Sequence, residues 1–549
     1  MTEIEIVLEN GTKRKYPKYT TYYEMSKEIN GDKNILAVMV DNKIRSLTER
    51  AEKSANVKFL DNNDSNGNRI YLSGLKMIFE YAAKTVFPGI EVSYAFSLPR
   101  GIIAELEYHK VLGNDDINMI RKGMSNIVTK GIAFEKLIVS SNDARSYFTN
   151  KSDEIKVANI NNISDSTVTL YRLGDFLNYY YTEMPYSSSF LNKYEVRYLG
   201  KNLVLLNFPH PEDNGKLPCY TDYKGVIEAY TNGKHWLDIM HVPYIKDVNE
   251  VVSTGKIANF VRSSELNFNM GINDTAKYIS EHPEIKFVMI SGPSSSGKTT
   301  VTKRIANYFE IYGLHPVVIS IDDYFKERVD TPKDANGEYD FECLEALDLE
   351  YLNKDVEKLL NGEEIRLPRF NFLTGKKELT SKTAKITEGG IVLFEGLHAI
   401  NDKLIPIVPK DQKYKIYVSP YIPVCIDKQN YISERDLRLL RRTIRDFRTR
   451  GYGVESTIKS NKKVKEGEEK WILPHIQEAD KIINTSLPYE VGILKTYVEP
   501  LLYSVKPDST YYNEARRLLN FLKQFYTISS EYIPKDSILR EFVGGGLDD

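Results

Sequence analysis

The stretch from Lys286 to Thr300, KFVMISGPSSSGKTT, constrains the fold of this chain more than any other. Phe287 to Ile290 is a short apolar run with the length of a buried strand. The loop behind it fits G-x-x-x-x-G-K-[ST], bounded by Gly292 and Gly297 and closed by Lys298 and Thr299. Between the glycines lie Pro293, Ser294, Ser295 and Ser296, and the glycines let backbone N–H groups turn inward around phosphate oxygens. A helix starting at once through Thr300 adds its positive N-terminal end. Lys298 has the reach for the outer phosphates of a nucleotide, and the Thr299 hydroxyl suits Mg²⁺. Val301, Ile305 and Phe309, four apart, give the following segment one apolar helical stripe. Strand, phosphate loop and helix in that order predict an α/β fold.

At 549 residues the chain has room for three or four domains of roughly 150 residues each. With 41% hydrophobic and 27% charged residues and a formal net charge of −2, nothing global draws it to DNA or a membrane, so neither is expected as a partner. Cys219, Cys343 and Cys425 are far apart and fit no disulfide framework or C-x-x-C pair. No apolar run approaches the roughly 18 residues of a membrane span, and MTEIEIVLENG lacks the build of a signal peptide, so a cytoplasmic protein is expected.

Residues 1–62 open with an alternating strand, a turn at Asn10-Gly11 and a second strand, followed by a short helix around Tyr22 to Ile29 and a last strand at Val57 to Leu60. This order resembles the ubiquitin-like, β-grasp domain that begins threonyl-tRNA synthetases. DNNDSNGN, Asp61 to Asn68, is a polar linker. Residues 68–230, with SGLKMIFEYAAKTVFPG and LYRLGDFLNYYYTEMPYSSSF, resemble the α+β editing domain of the same synthetases. That resemblance puts Ser73, Met77, Tyr180 and Met184 where the family keeps its metal ligands, and none of these is a normal zinc ligand. No zinc and no editing chemistry are therefore expected, and the resemblance leaves open a small molecule or an RNA end as the ligand of this half. Residues 231–275 lack clear periodicity and are expected to connect the halves.

From 276 to 549 the pattern is β-loop-α, then strands at Pro316 to Ile321, Ile391 to Phe394 and Tyr414 to Val418, with a helix around Cys343 to Leu360. Strands separated by helical stretches predict a parallel sheet with helices on both faces and a ligand at the strands' carboxyl ends. Just past those ends come Asp322 and Asp323 in SIDDYF and Glu395 in FEGLHAI, where a Mg²⁺ partner or a proton acceptor belongs. In RDLRLLRRTIRDFRTR, Leu437, Leu440, Ile444 and Phe447 form one helical stripe beside Arg438, Arg441, Arg442 and Arg445. Next to a phosphate loop such a helix reads as a mobile lid closing on a polyanion, with a solvated basic face as the alternative.

With these residues in view, residues 280–490 resemble the uridine kinase and phosphoribulokinase group of P-loop kinases, through GPSSSGKTT, SIDDYF, YDFECLEALD, FEGLHAI, RLLRRTIRDFRTRG and ILPHIQEADKII. SILREFVGG near the end resembles the tail found where this kinase is fused to synthetase-like domains. The resemblance implies ATP and Mg²⁺, a ribonucleoside acceptor, Asp322 as general base on its 5′-hydroxyl, and Thr299 and Glu395, with Asp322, around the ion. It implies Asp340 and Arg442 as ribose or phosphate contacts, Arg445 and Arg450 as arginines balancing charge on the transferred group, and Tyr324, Phe325 and Phe370 as rings around the nucleoside. Gly375, Phe370, Tyr452 and Ser460 stand where uridine kinases carry other groups, most of which read the base, so kinase chemistry is expected with altered base choice. A phosphoribulokinase-like kinase of another hydroxyl substrate and a nucleotide-sensing RNA-binding regulator are the alternatives, and a homo-oligomer is compatible with all three.

Overall fold

The computed structural model describes residues 3–547 apart from 32, 164, 214, 335–336 and 372–373. The first module runs β1 (Glu3–Leu8), β2 (Lys13–Pro17), α1 (Tyr22–Asn30), β3 (Ala37–Val40), β4 (Lys43–Arg45) and β5 (Ala55–Leu60). Its sheet order is β2-β1-β5-β3-β4, with β1 and β5 parallel at the centre, which is a β-grasp. Thr21 and Glu24 cap α1 reciprocally, and Met25 presses into a core of Ile6, Val38 and Val57.

The second module contains α2 (Ser65–Val86), β6 (Glu91–Leu98), β7 (Gly101–Glu107), α3 (Asn114–Lys130), β8 (Phe134–Ser140), α4 (Ser141–Asn150), α5 (Glu154–Asn162), β9 (Thr167–Leu173), β10 (Phe176–Tyr179), β11 (Glu195–Gly200) and β12 (Leu203–Asn207). A sheet β11-β12-β7-β6 and a smaller one, β10-β9-β8, make it α+β. Ser73, Met77, Tyr180 and Met184 are all buried, and the Tyr180 hydroxyl donates to Glu80 at 3.1 Å. A loop from the other half of the chain enters this core. Gln429 is buried there: its Nε2 donates to Glu80 (3.0 Å) and to the Val92 carbonyl (3.2 Å), its Oε1 accepts from Lys156, and its carbonyl accepts from Lys76 at 2.8 Å.

Residues 231–275, expected as a connecting stretch, fall in three helices: α6 (Lys224–Met240), α7 (Ile245–Ser253) and α8 (Ile257–Ser280). Phe260, Phe268 and Ile272 of α8 share one core with Val288 and Ile290 of the phosphate-loop strand. The stripe is hidden in the sequence because Ser264, Glu265 and Thr275 are buried on it, with Glu265 accepting from the Tyr489 hydroxyl at 2.7 Å.

The last module holds β13 (Phe287–Ser291), α9 (Lys298–Ile311), β14 (His315–Ser320), α10 (Leu349–Leu360), the hairpin β15 (Ile365–Asn371) and β16 (Lys376–Ala384), β17 (Gly390–Glu395), β18 (Lys413–Ser419), α11 (Glu434–Arg450), α12 (Val454–Gly467), β19 (Lys481–Asn484), α13 (Glu490–Tyr503), α14 (Tyr512–Leu522) and α15 (Arg540–Val543). Five strands run parallel in the order β14-β17-β13-β18-β19, so the phosphate-loop strand is central. β13, β17 and β18 are almost wholly buried, as a parallel sheet covered on both faces requires.

Candidate active site

The loop from Gly292 to Gly297 leaves the carboxyl end of β13 and feeds α9. Gly292 is dictated by crowding: a Cβ there would lie 2.2 Å from the Val418 carbonyl oxygen of the neighbouring strand. Gly297 has φ +89° and turns the chain into the helix. Lys298 arches back so that its Nζ donates to the Pro293 carbonyl at 3.3 Å. The hydroxyls of Ser295 and Ser296 are buried without a protein partner, a cost that phosphate oxygens would relieve.

Three carboxyls gather opposite Lys298. Asp322 follows β14, and crowding by protein raises its pKa while the charges of Lys298 and Arg450 pull it back. Glu395 ends β17; burial raises it to about 7, opposed by the charge of Lys298 and, more weakly, by the nearby Thr299 side chain. The third, Glu342, was not singled out from the sequence. Burial raises it to about 7 as well, opposed by Arg442, and it feels the charges of Asp322 and Lys298. Asp340, two residues earlier, is engaged in a turn, accepting from the Glu342 backbone N–H at 3.1 Å. The Glu342 carbonyl is held at 2.9 Å by Nε2 of His398, whose burial lowers its pKa to about 4, so the neutral ring donates. Asp340 and Glu342 are close enough for the charge of Asp340 to raise the pKa of Glu342 further. Among the described residues no three His, Cys, Asp or Glu side chains form a metal cage. A Thr299–Glu395 pair beside phosphate oxygens nonetheless fits Mg²⁺, which takes one or two protein ligands and completes its shell from phosphates and water.

The adjacent aspartates divide their tasks. Asp323 accepts from the Phe370 N–H at 3.2 Å, tying β15 to the turn after β14, and Asp322 faces Lys298. Tyr324 lies in the core with its hydroxyl on Asp355 (3.1 Å), and Phe325 and Phe370 meet at 5.6 Å. Gly375 sits in the β15–β16 turn at φ +69°, where a Cβ would come within 2.8 Å of Arg328 Cβ and 2.9 Å of its Nε. The volume a side chain at 375 would fill is occupied by that arginine.

The arginine helix differs from a mobile lid. Arg441 is fully buried, gripping Glu490 through Nε (2.8 Å) and Nη2 (3.0 Å), and Arg438 is buried on Glu468 at 2.6 Å. These two, expected in the polyanion cluster, anchor the helix instead. Phe447, expected on the apolar stripe, is 53% exposed, because the core ends at Ile444. Arg442, Arg445 and Arg450 converge on one buried carboxylate, Asp446, at 3.2, 2.9 and 3.5 Å. Ser460 of α12 accepts from Arg442 at 3.0 Å, and Arg442 keeps its Nη1 buried without a partner. Three guanidiniums on one carboxylate leave positive charge at the mouth of the phosphate loop, which suits an anionic ligand.

Residues 287–490 match the Phosphoribulokinase / Uridine kinase family. This part of the chain is a P-loop kinase domain of that family. Among curated relatives, the uridine kinase of Borrelia duttonii is 29% identical over 208 residues, 36% of this chain and 86% of that one. Uridine-cytidine kinase-like 1 of Mus musculus is 28% identical over 198 residues, 35% of this chain and 32% of the relative. In the N-terminal region the chain is similar to the threonine–tRNA ligase of Finegoldia magna, 24% identical over 177 residues, 32% of this chain but only 28% of the ligase. The solved structure of a possible uridine kinase from Bacillus stearothermophilus aligns over 40% of this chain and 100% of that one, at 18% identity and a TM-score of 0.27. The kinase domain is thus joined to a synthetase-like half, and its sheet places the phosphate loop, the carboxyls and the arginines at one edge.

Proposed function

We propose that the chain is an ATP-dependent kinase that phosphorylates the 5′-hydroxyl of a ribonucleoside. The observation that carries this reading is the convergence of Lys298, Asp322, Glu342, Arg442 and Arg450 beside the phosphate loop. One carboxylate beside the loop lysine accepts a proton, and a second beside an arginine is free to accept hydrogen bonds from sugar hydroxyls.

Lys298 and the backbone N–H groups of residues 294 to 300 hold the β- and γ-phosphates. Asp322 takes the proton of the acceptor hydroxyl as its oxygen bonds to the γ-phosphorus, and the bond to the β,γ-bridging oxygen breaks to release ADP. Arg445 and Arg450 offset charge on the transferred group, and Glu342, steadied by His398 and Arg442, receives ribose hydroxyls. Thr299 and Glu395 would hold a Mg²⁺ ion, which would supply positive charge to offset that of the phosphates. On the base side, the guanidinium of Arg328 fills the space against Gly375, so base preference is expected to differ from that of enzymes with a side chain there. ADP release measured with Mg²⁺-ATP and a panel of ribonucleosides tests the reading. Turnover with at least one ribonucleoside supports it, and turnover only with a non-nucleoside alcohol, or with none of the panel, refutes it.

A further inference from the structure

The chain continues beyond the matched family region, and its end returns to the active site. Ile538, Leu539 and Phe542 are fully buried. Ile538 covers the last glycine of the phosphate loop: its Cδ1 lies 2.3 Å from where a Gly297 Cβ would stand. Three residues on, Glu541 accepts a hydrogen bond of 2.8 Å from the Thr300 hydroxyl, in the first turn of α9. Arg304, further along the same helix, donates to the Asp536 carbonyl. On its other side the segment meets the arginine helix. The Phe542 carbonyl accepts from Arg448 at 2.6 Å, and the Phe542 ring lies 5.0 Å below the Arg441 guanidinium.

A few consecutive residues therefore touch both the helix that presents phosphate-binding N–H groups and the helix that presents the arginines. We infer that Ser537–Val543 is a brace of the phosphate site, fixing the first turn of α9 against α11, with Glu541 a positioning residue that acts through the Thr300 hydroxyl. The inference rests on the reading that the phosphate loop takes ATP. The N–H groups of a helix's first turn have no intrahelical partner and are the ones that meet an anion, so what fixes that turn fixes the phosphate cradle. The carboxylate also adds negative charge near Glu395, which by itself disfavours a polyanion. Its value to the site is then its hydrogen bond and not its charge.

That distinction gives the test, made on the full chain with Glu541→Ala, Glu541→Gln, Thr300→Val and the Glu541→Ala/Thr300→Val double variant. Mg²⁺-ATP affinity is read by calorimetric titration, kcat and both KM values by ADP release, and backbone order by amide hydrogen exchange of residues 297–303 without nucleotide. Glu541→Ala and Thr300→Val are expected each to weaken ATP binding by up to about tenfold, the upper scale of one lost hydrogen bond, while KM for the nucleoside stays unchanged. The double variant is expected to be no weaker than either single one, as for two residues acting through one bond. Glu541→Gln keeps an acceptor for Thr300 and is expected to stay within about twofold of the parent. Exchange at 297–303 should quicken in Glu541→Ala and stay near the parent rate in Glu541→Gln. Unchanged ATP affinity and exchange in Glu541→Ala, losses that multiply in the double variant, or a Glu541→Gln as weak as Glu541→Ala each overturn the inference. If the parent protein takes up no ATP, the kinase reading fails, and the exchange rates alone still decide whether the brace exists.

Discussion

Replacing Glu490 by alanine would strip the partner from Arg441, the arginine at the centre of α11. Both side chains are fully buried, and the guanidinium makes two bonds to the carboxylate plus one of 2.8 Å to the Thr485 carbonyl. After the substitution only Thr485 and the Phe542 ring would face an uncompensated buried charge. Breaking one partner out of such a pair costs about 3–5 kcal/mol, whereas replacing both by apolar residues is often near neutral. At about 2–4 °C per kcal/mol for a domain of this size, Glu490→Ala is expected to lower the melting temperature of the kinase domain by roughly 6–20 °C. Arg441→Met/Glu490→Leu is expected to regain most of that loss. Differential scanning calorimetry of the full chain resolves the domain transition. If Glu490→Ala melted within about 1 °C of the parent, Arg441 would not depend on Glu490, and the account of α11 as an anchored helix would be wrong.

Other outcomes follow from the same geometry. Asp322→Asn is expected to lower kcat by about 10²–10⁴-fold with the fold intact, measured by ADP release. Because Asp322 must be ionised to take a proton and crowding raises its pKa, kcat should fall with decreasing pH through a limb above the ordinary carboxylate range near 4, as a pH–rate profile would read. Glu342→Gln is expected to raise KM for the nucleoside by about an order of magnitude and to leave KM for ATP unchanged, since it removes a charged acceptor on the sugar side only. Gln429→Ala leaves the Val92 carbonyl and part of the Lys156 and Glu80 shells unpaired and is expected to destabilise the junction between the halves by about 2–4 kcal/mol, visible as faster hydrogen exchange in residues 425–431.

The parallel sheet was legible because β13 and β17 are buried on both faces and appear as apolar runs, while β18 keeps that burial with Lys415 paired to Asp402 and Glu478, and the phosphate loop was legible because its residues are contiguous. Where partners are distant in sequence, the pattern misled. Arg438 and Arg441 look like a solvated or ligand-facing cluster until the fold brings Glu468 and Glu490, 30 and 49 residues away, onto them. The stripe of α8 was lost because Glu265 is buried on it and satisfied by Tyr489, 224 residues downstream. Glu342 was missed because its neighbours Arg442, Asp322 and Lys298 come from distant segments, so nothing in its own stretch marks it. The contact between Glu541 and Thr300 spans 241 residues and leaves no periodic trace in either segment.

The central claim is that the site moves a phosphoryl group from ATP to a nucleoside hydroxyl with Asp322 as proton acceptor. Phosphorus NMR of the full chain incubated with Mg²⁺-ATP and the ribonucleoside giving fastest ADP release tests it most directly. The account predicts a nucleoside 5′-monophosphate resonance growing in step with ADP, and none from Asp322→Asn over the same time. ADP with inorganic phosphate and no phosphorylated nucleoside, or an undiminished rate in Asp322→Asn, would contradict it.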